Sequence, residues 1–167
     1  HTDTYPLPGY NTATTFTRAA EESLLDLSAS FHVGTRGGSF MSGVLEYGRE
    51  VGYTIISCDE FVPNQTAILD EIKRRVGNRP VYLCFDMDVF DPSCAPGVCT
   101  PEWGGLSARE GLALLRQLTG LNFVAFDVNT VSPPQDIGGA TAFLAAIVMQ
   151  EFFALAVSAV RKQGSRK

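Results

Sequence analysis

Asp86 and Asp88, two carboxylates one residue apart, close the apolar run 81–85. Side chains two apart on a strand share a face, so the two acids point together. Like charges at that spacing repel unless a cation compensates them or one takes up a proton. Oxygen donors of this kind suit hard or borderline divalent ions such as Mn2+. His1 and Asp3 repeat the i, i+2 arrangement at the start of the chain. If His1 ends a strand, the two pairs could meet across neighbouring strand ends. Taken alone, Asp-x-Asp also fits a capped strand end or a salt-bridged loop. The following segment favours chemistry: Pro92, Pro96 and Pro101 interleave with Gly97, Gly104 and Gly105. That pattern describes a long, rigid loop, and long ordered loops at strand ends usually carry function.

The elements that must hold these residues follow from periodicity. Residues 31–35, 53–57, 81–85 and 123–128 read as strands, and the continuous apolar runs at 81–85 and 123–128 predict burial on both faces. A helix is expected around 41–51. Ile68, Leu69, Ile72 and Val76 recur at helical spacing within 63–76. Ser107 with Glu110 three residues on predicts a capping box and a helix to about Leu118. Alternation of strands and helices with short connections predicts an α/β domain with a parallel sheet covered by helices. No repeat or linker interrupts 1–167, which is expected to be one partial domain. The apolar stretch 139–160 carries Gln150 and Glu151 at its middle, where a lipid-exposed charge is expensive. A buried core helix is therefore expected there, with no membrane partner.

With 45% apolar residues in 167, the chain can build a substantial core. Its 13 Lys and Arg against 18 Asp and Glu give a charge of −5, and no basic stripe offers itself to nucleic acid. The amino-terminal segment has no secretory-signal pattern, and a cytoplasmic location is expected. The chain has no initiator Met and opens on candidate ligands, which suggests a piece of a longer protein. Cys94 and Cys99 share the long loop and are expected to be free thiols rather than a disulfide or a soft-metal site. Cys58 and Cys84 are expected to behave as small core residues. His32, on an apolar strand, is expected to be a satisfied core or interface histidine. Trp103 is expected either at the mouth of the site or in a subunit contact.

The stretch FDMDVFDPSCAPGVCTPEWGGLS, residues 85–107, resembles the signature of the ureohydrolases, the family of arginase and agmatinase: F-D-x-D-x-x-D-P-x-x-A-P-G-x-x-T-P-x-x-G-G-L. The opening HTDTY is similar to the end of that family's D-A-H-x-D motif. HVGTRGG is similar to its I-G-I-R-G strand, and DVNTVSPPQD to its D-V-x-E-V-x-P-x-x-D segment. Similarity runs in order to about Leu155 and is strongest to the agmatinase and guanidino-acid hydrolase branch.

The resemblance implies an arginase-like three-layer α/β/α fold whose amino-terminal strands precede this chain. It also implies two manganese ions, or nickel, bridged by a hydroxide that attacks the guanidinium carbon and releases urea. By position Asp86 bridges both ions, His1 and Asp88 bind one, and Asp3 binds the other and holds the hydroxide as the catalytic residue. Two further family ligands would lie upstream of His1. Thr12 stands where the family has a proton-shuttling His, and threonine does not titrate near neutrality. Thr130 stands where it has the Glu that receives the guanidinium, so both threonines would reshape the substrate pocket. The expected protein is a urea-releasing hydrolase of a small guanidino or amidino compound, working as a homo- or hetero-oligomer, a trimer or hexamer. The alternative is a non-catalytic or substrate-shifted subunit of a hetero-oligomer such as a biguanide hydrolase. Asp127 is expected to be structural.

Overall fold

A computed structural model describes residues 2–164; His1, expected as a metal ligand, and residues 165–167 lie outside the described residues. The chain forms two compact units, His1–Pro63 and Asn64–Lys167. In order it runs α1 (Thr15–Glu21), β1 (Phe31–Thr35), α2 (Val44–Val51), β2 (Thr54–Ser57), α3 (Cys58–Val76), β3 (Pro80–Asp86), α4 (Ala108–Gln117), β4 (Asn122–Asn129) and α5 (Ala140–Gly164). The helix expected from residue 63 begins five residues earlier, at Cys58, and carries Pro63 inside it. Proline removes a helical donor and crowds the preceding turn. The chain bends where Asn64 leaves helical geometry, at φ −122°, and the boundary between the units falls at that kink. The helix expected from 41 begins at Val44, behind Gly43 in the left-handed region.

In the first unit β1 and β2 pair in parallel, with His32 opposite Ile55 and Val33 opposite Ile56. A parallel pair needs a crossover, and α2 supplies it. Tyr5, Val44, Tyr53, Ile55 and Phe61 form the buried core of this unit. His32 lies among rings, 5.3 Å from Phe16 and 4.6 Å from Tyr53 between centroids. Thr4 donates its hydroxyl hydrogen to the Thr2 carbonyl at 3.0 Å, which leaves Thr4 Oγ1 to accept from His32 Nε2 at 3.2 Å. His32 is thus the satisfied core histidine that its apolar strand predicts.

In the second unit β3 and β4 pair in parallel from Pro80–Asn122 to Asp86–Asn129, with α4 as the crossover. Ser107 and Glu110 form the expected capping box at the start of α4. The register skips Val124, which is exposed at this irregularity. Leu83 faces Phe126 and Phe85 faces Val128 on one side of the pair. There Phe152 of α5 packs 4.7 Å from Phe126 and 6.1 Å from Phe85. Tyr82, Cys84 and Asp86 with Ala125, Asp127 and Asn129 line the other side. Burial on both faces, expected for these strands, does not hold in this unit: Tyr82 and Ala125 are exposed, and the remaining four are only part-buried. On this side Tyr82, Cys84, Asp127 and Asn129 are polar and hydrogen-bond one another.

The helix α5 also departs from expectation. It is long and apolar enough to cross a membrane by length and composition, but only 28% of its most apolar window is buried within the chain. The buried stripe is Thr141, Val148, Phe152, Leu155 and Ala159, at helical spacing. Phe143, Ile147, Phe153, Val157 and Val160 are exposed. Glu151 at its middle takes an ion pair from Arg116 of α4, with Nε 2.8 Å from Oε1.

Candidate metal-binding site at the end of the β3–β4 pair

Phe85, Met87 and Phe90 are buried and anchor the turn that leaves β3. Between these apolar anchors Asp86 ends the strand and Asp88 sits in one 3-10 turn, residues Met87–Val89; both acids are part-buried. The alternation that sends Phe85 and Met87 inward turns Asp86 between them away from the core. This is the carboxyl end of a parallel pair, where open α/β sheets place their ligand crevices.

Asp88 is gripped from two elements. Its backbone N–H donates to Thr130 Oγ1 at 3.2 Å, and its Oδ2 accepts the Thr100 hydroxyl at 2.6 Å. Thr130 follows β4 directly and has φ +65°. A β-branched residue in the left-handed region is strained, by about 1–2 kcal/mol. The Thr130 carbonyl in turn accepts the Cys99 N–H at 3.0 Å.

The loop after β3 is held down along its length, as its prolines and glycines lead one to expect. Leu106 N–H donates to Val89 O at 2.9 Å and Asp91 N–H to Leu106 O at 2.8 Å, so the loop returns to its own start. The Asp91 carboxylate accepts the Ser93, Gly104 and Gly105 N–H groups at 3.0, 3.0 and 3.3 Å. The Ser93 hydroxyl first, then the Ser93, Gly104 and Gly105 N–H groups, hold its carboxyl below the ordinary range. In mid-loop, Ser132 N–H reaches Gly97 O at 2.8 Å, and Gly97 N–H reaches Thr141 Oγ1 at 2.8 Å. Asp136 caps α5 by accepting the Thr141 and Ala142 N–H groups, both at 2.9 Å. A Cβ on Gly97 would come within 2.6 Å of the Asp136 Cα, so only glycine fits there.

Beside Asp86, the polar face of the strand pair carries a small network. Asn129 Nδ2 donates to Asp127 Oδ1 at 2.8 Å and to Cys84 Sγ at 3.3 Å. Tyr82 donates its phenol to Asp127 Oδ2. Burial, followed by the Asp86 and Asp127 carboxylates, pushes the Cys84 thiol up to about 12, so it stays protonated at neutral pH. Asp127 is therefore fully engaged within the sheet. Cys84, Cys94 and Cys99 are free thiols, and the buried Cys58 donates its thiol to Gly34 O at 3.2 Å.

The structure brings Asp86, Asp88 and Thr130 together. Asp3 and Thr12 belong to the first unit, where their segments lie side by side: Phe16 N–H donates to Asp3 O and Tyr5 N–H to Ala13 O, both at 3.1 Å. Asp3 is part-buried with φ +48°, and Thr12 is exposed in a short 3-10 turn capped by Asn11. Among the described residues no group of three or more His, Cys, Asp and Glu gathers into a metal cage. Asp86 and Asp88 thus offer a partial set of hard oxygen donors, which fits a hard divalent ion. Sequence reasoning missed Thr100 and Asp91. Both are fixed positions of the resembled signature, and Asp-Pro-Ser is an Asx-turn sequence; the hydrogen bond from Thr100 to Asp88, twelve residues away, is what spacing alone does not show.

Comparison with known proteins places these residues in context. The Arginase family model matches residues 1–154. The chain is 44% identical over 154 residues to guanidinopropionase of Pseudomonas aeruginosa, covering 91% of this chain and 48% of that protein. Its structure is similar to that of proclavaminate amidino hydrolase from Streptomyces clavuligerus, with a TM-score of 0.89, 40% identity, and coverage of 95% of this chain and 54% of the other. A hypothetical agmatinase from Burkholderia thailandensis superposes with a TM-score of 0.84 at 36% identity, covering 98% of this chain and 50% of the other. The chain spans about half the length of the curated relatives it matches.

Proposed function

Since the chain belongs to the arginase family, we propose that this protein hydrolyses a C–N bond of a small guanidino compound at a metal site that includes Asp86 and Asp88. The observation that carries this reading is the pair of part-buried acids, Asp86 and Asp88, at the carboxyl end of β3, directly ahead of a loop tied down by Asp91 and Gly97. Similarity to proteins named guanidinopropionase and agmatinase supports a guanidino substrate. A pair of divalent ions, manganese or nickel, would supply acidified water as the nucleophile at neutral pH. Asp86 and Asp88 would hold the ions, with His1 and Asp3 as the further ligands that the motif resemblance adds. The net reaction puts water's oxygen on the guanidinium carbon, breaks its bond to the substituted nitrogen, and yields urea and an amine that takes up a proton.

A second reading, a substrate-shifted or non-catalytic subunit, is favoured by one observation. Thr130 is uncharged and its hydroxyl is engaged by the Asp88 N–H, so it cannot provide a charge-assisted receptor for a guanidinium group. Elemental analysis of the full-length protein, together with urea release from agmatine and a series of guanidino acids, separates the two. Close to two ions per chain with urea release, and loss of both in Asp86→Ala, is the expected result. Near-zero metal and no urea in a folded oligomer would replace the first reading by the second.

A further inference from the structure

We propose that Thr130 is a positioning residue that fixes the Asp88 carboxylate for metal binding, acting through a closed ring of hydrogen bonds. The inference rests on the reading of Asp88 as a metal ligand. The ring has three bonds: Asp88 N–H to Thr130 Oγ1 at 3.2 Å, Cys99 N–H to Thr130 O at 3.0 Å, and Thr100 hydroxyl to Asp88 Oδ2 at 2.6 Å. Cys99 and Thr100 are adjacent, so Thr130 holds the main chain of Asp88 with its side chain and holds the base of Thr100 with its carbonyl. Thr100 then fixes the Asp88 carboxylate itself. One residue at the end of β4 thereby sets both ends of an acid at the end of β3. The antiparallel bridge between Val98 and Val131 carries the same alignment one residue further.

The backbone of Thr130 makes the role specific. At φ +65° glycine is the least strained residue, and a β-branched side chain is among the most strained. A strand end with no other task would favour glycine here. The hydroxyl is what threonine adds, and its partner is the Asp88 N–H. Such partners around a ligand commonly contribute 10- to 100-fold in metal affinity.

The test is Mn2+ titration by calorimetry on the full-length protein, alongside thermal melting of the metal-free form. Thr130→Ser keeps the acceptor and should stay within about twofold of the wild-type affinity. Thr130→Val keeps shape and backbone strain, removes the acceptor, and should lose about tenfold or more. Thr130→Gly should lose a similar factor while its metal-free form melts at the same temperature or higher, because the strain is relieved. A merely structural residue would move stability and affinity together, so this opposite response is the diagnostic. Thr100→Val should also weaken binding, and the Thr100→Val, Thr130→Val double variant should cost less than the product of the single losses, since the ring opens once. Should the valine variant not fold, the glycine variant carries the same comparison. Mn2+ affinity within twofold of wild type in Thr130→Gly and Thr130→Val overturns the proposal while leaving the metal site standing. A wild-type protein that takes up no Mn2+ overturns the metal reading and this inference with it.

Discussion

His32 lies beneath the Phe16 and Tyr53 rings with Thr4 as its polar partner. Burial lowers its pKa to about 4 from an ordinary 6.5, against a smaller opposing pull from Asp3. Between those two values the unfolded chain binds a proton that the folded chain does not. Folding stability should therefore fall as pH drops from about 6.5 towards 4, by up to ~1.4 kcal/mol per pH unit, and level off below. His32→Gln, which cannot titrate, should flatten that part of the profile in denaturant titrations at pH 7, 6 and 5. Equal slopes in the two proteins would remove His32 as the source. Asp91 works differently: its charge serves the N–H groups of Ser93, Gly104 and Gly105, so it organises a loop rather than a ligand.

The site is built from the ends of elements. β3 delivers Asp86 and β4 delivers Thr130, and their parallel pairing puts Asp86 opposite Asn129, one residue before Thr130. The intervening loop is pinned at mid-length against the start of α5 through Gly97, Thr141 and Asp136. Gly97→Ala forces a methyl against Asp136 and should destabilise the protein by about 1–3 kcal/mol, read as a lower denaturant midpoint. An unchanged midpoint would mean that the loop can step away from α5 at no cost. The capping box at Ser107 and Glu110 closes the same loop at its far end, with Glu110 N–H 3.2 Å from Ser107 Oγ. Loop and helix ends are thus set by local bonds, and the carboxylates inherit their places from them.

For the molecule as a whole, metal binding and folding should be linked. An ion bound only by the folded protein stabilises it by about 2.7 kcal/mol at a hundred times its Kd. Mn2+ should therefore raise the melting temperature of the full-length protein, and Asp86→Ala should abolish the rise. A flat melting temperature across Mn2+ concentrations would count against the site. Family membership spans residues 1–154, nearly all of the chain, while the chain covers about half of its curated relatives. The proposed activity accordingly belongs to the full-length protein.

Much of this was legible in the order of residues. Asp86-x-Asp88, the Pro and Gly loop after it, the Ser107 cap and the alternation of strands with helices depend on local spacing, and local spacing is what a linear string displays. Burial was less legible. An apolar run does not say which face will be covered, and both β3 and the helix α5 turned out half-open within the chain. The ring around Asp88 could not be read at all. Its members, Asp88, Thr100 and Thr130, lie up to 42 residues apart and become neighbours only when β3 and β4 pair. Spacing along the chain selects the elements and the acids, whereas hydrogen bonds between distant strand ends decide how those acids are held, because such bonds exist only once the strands have met.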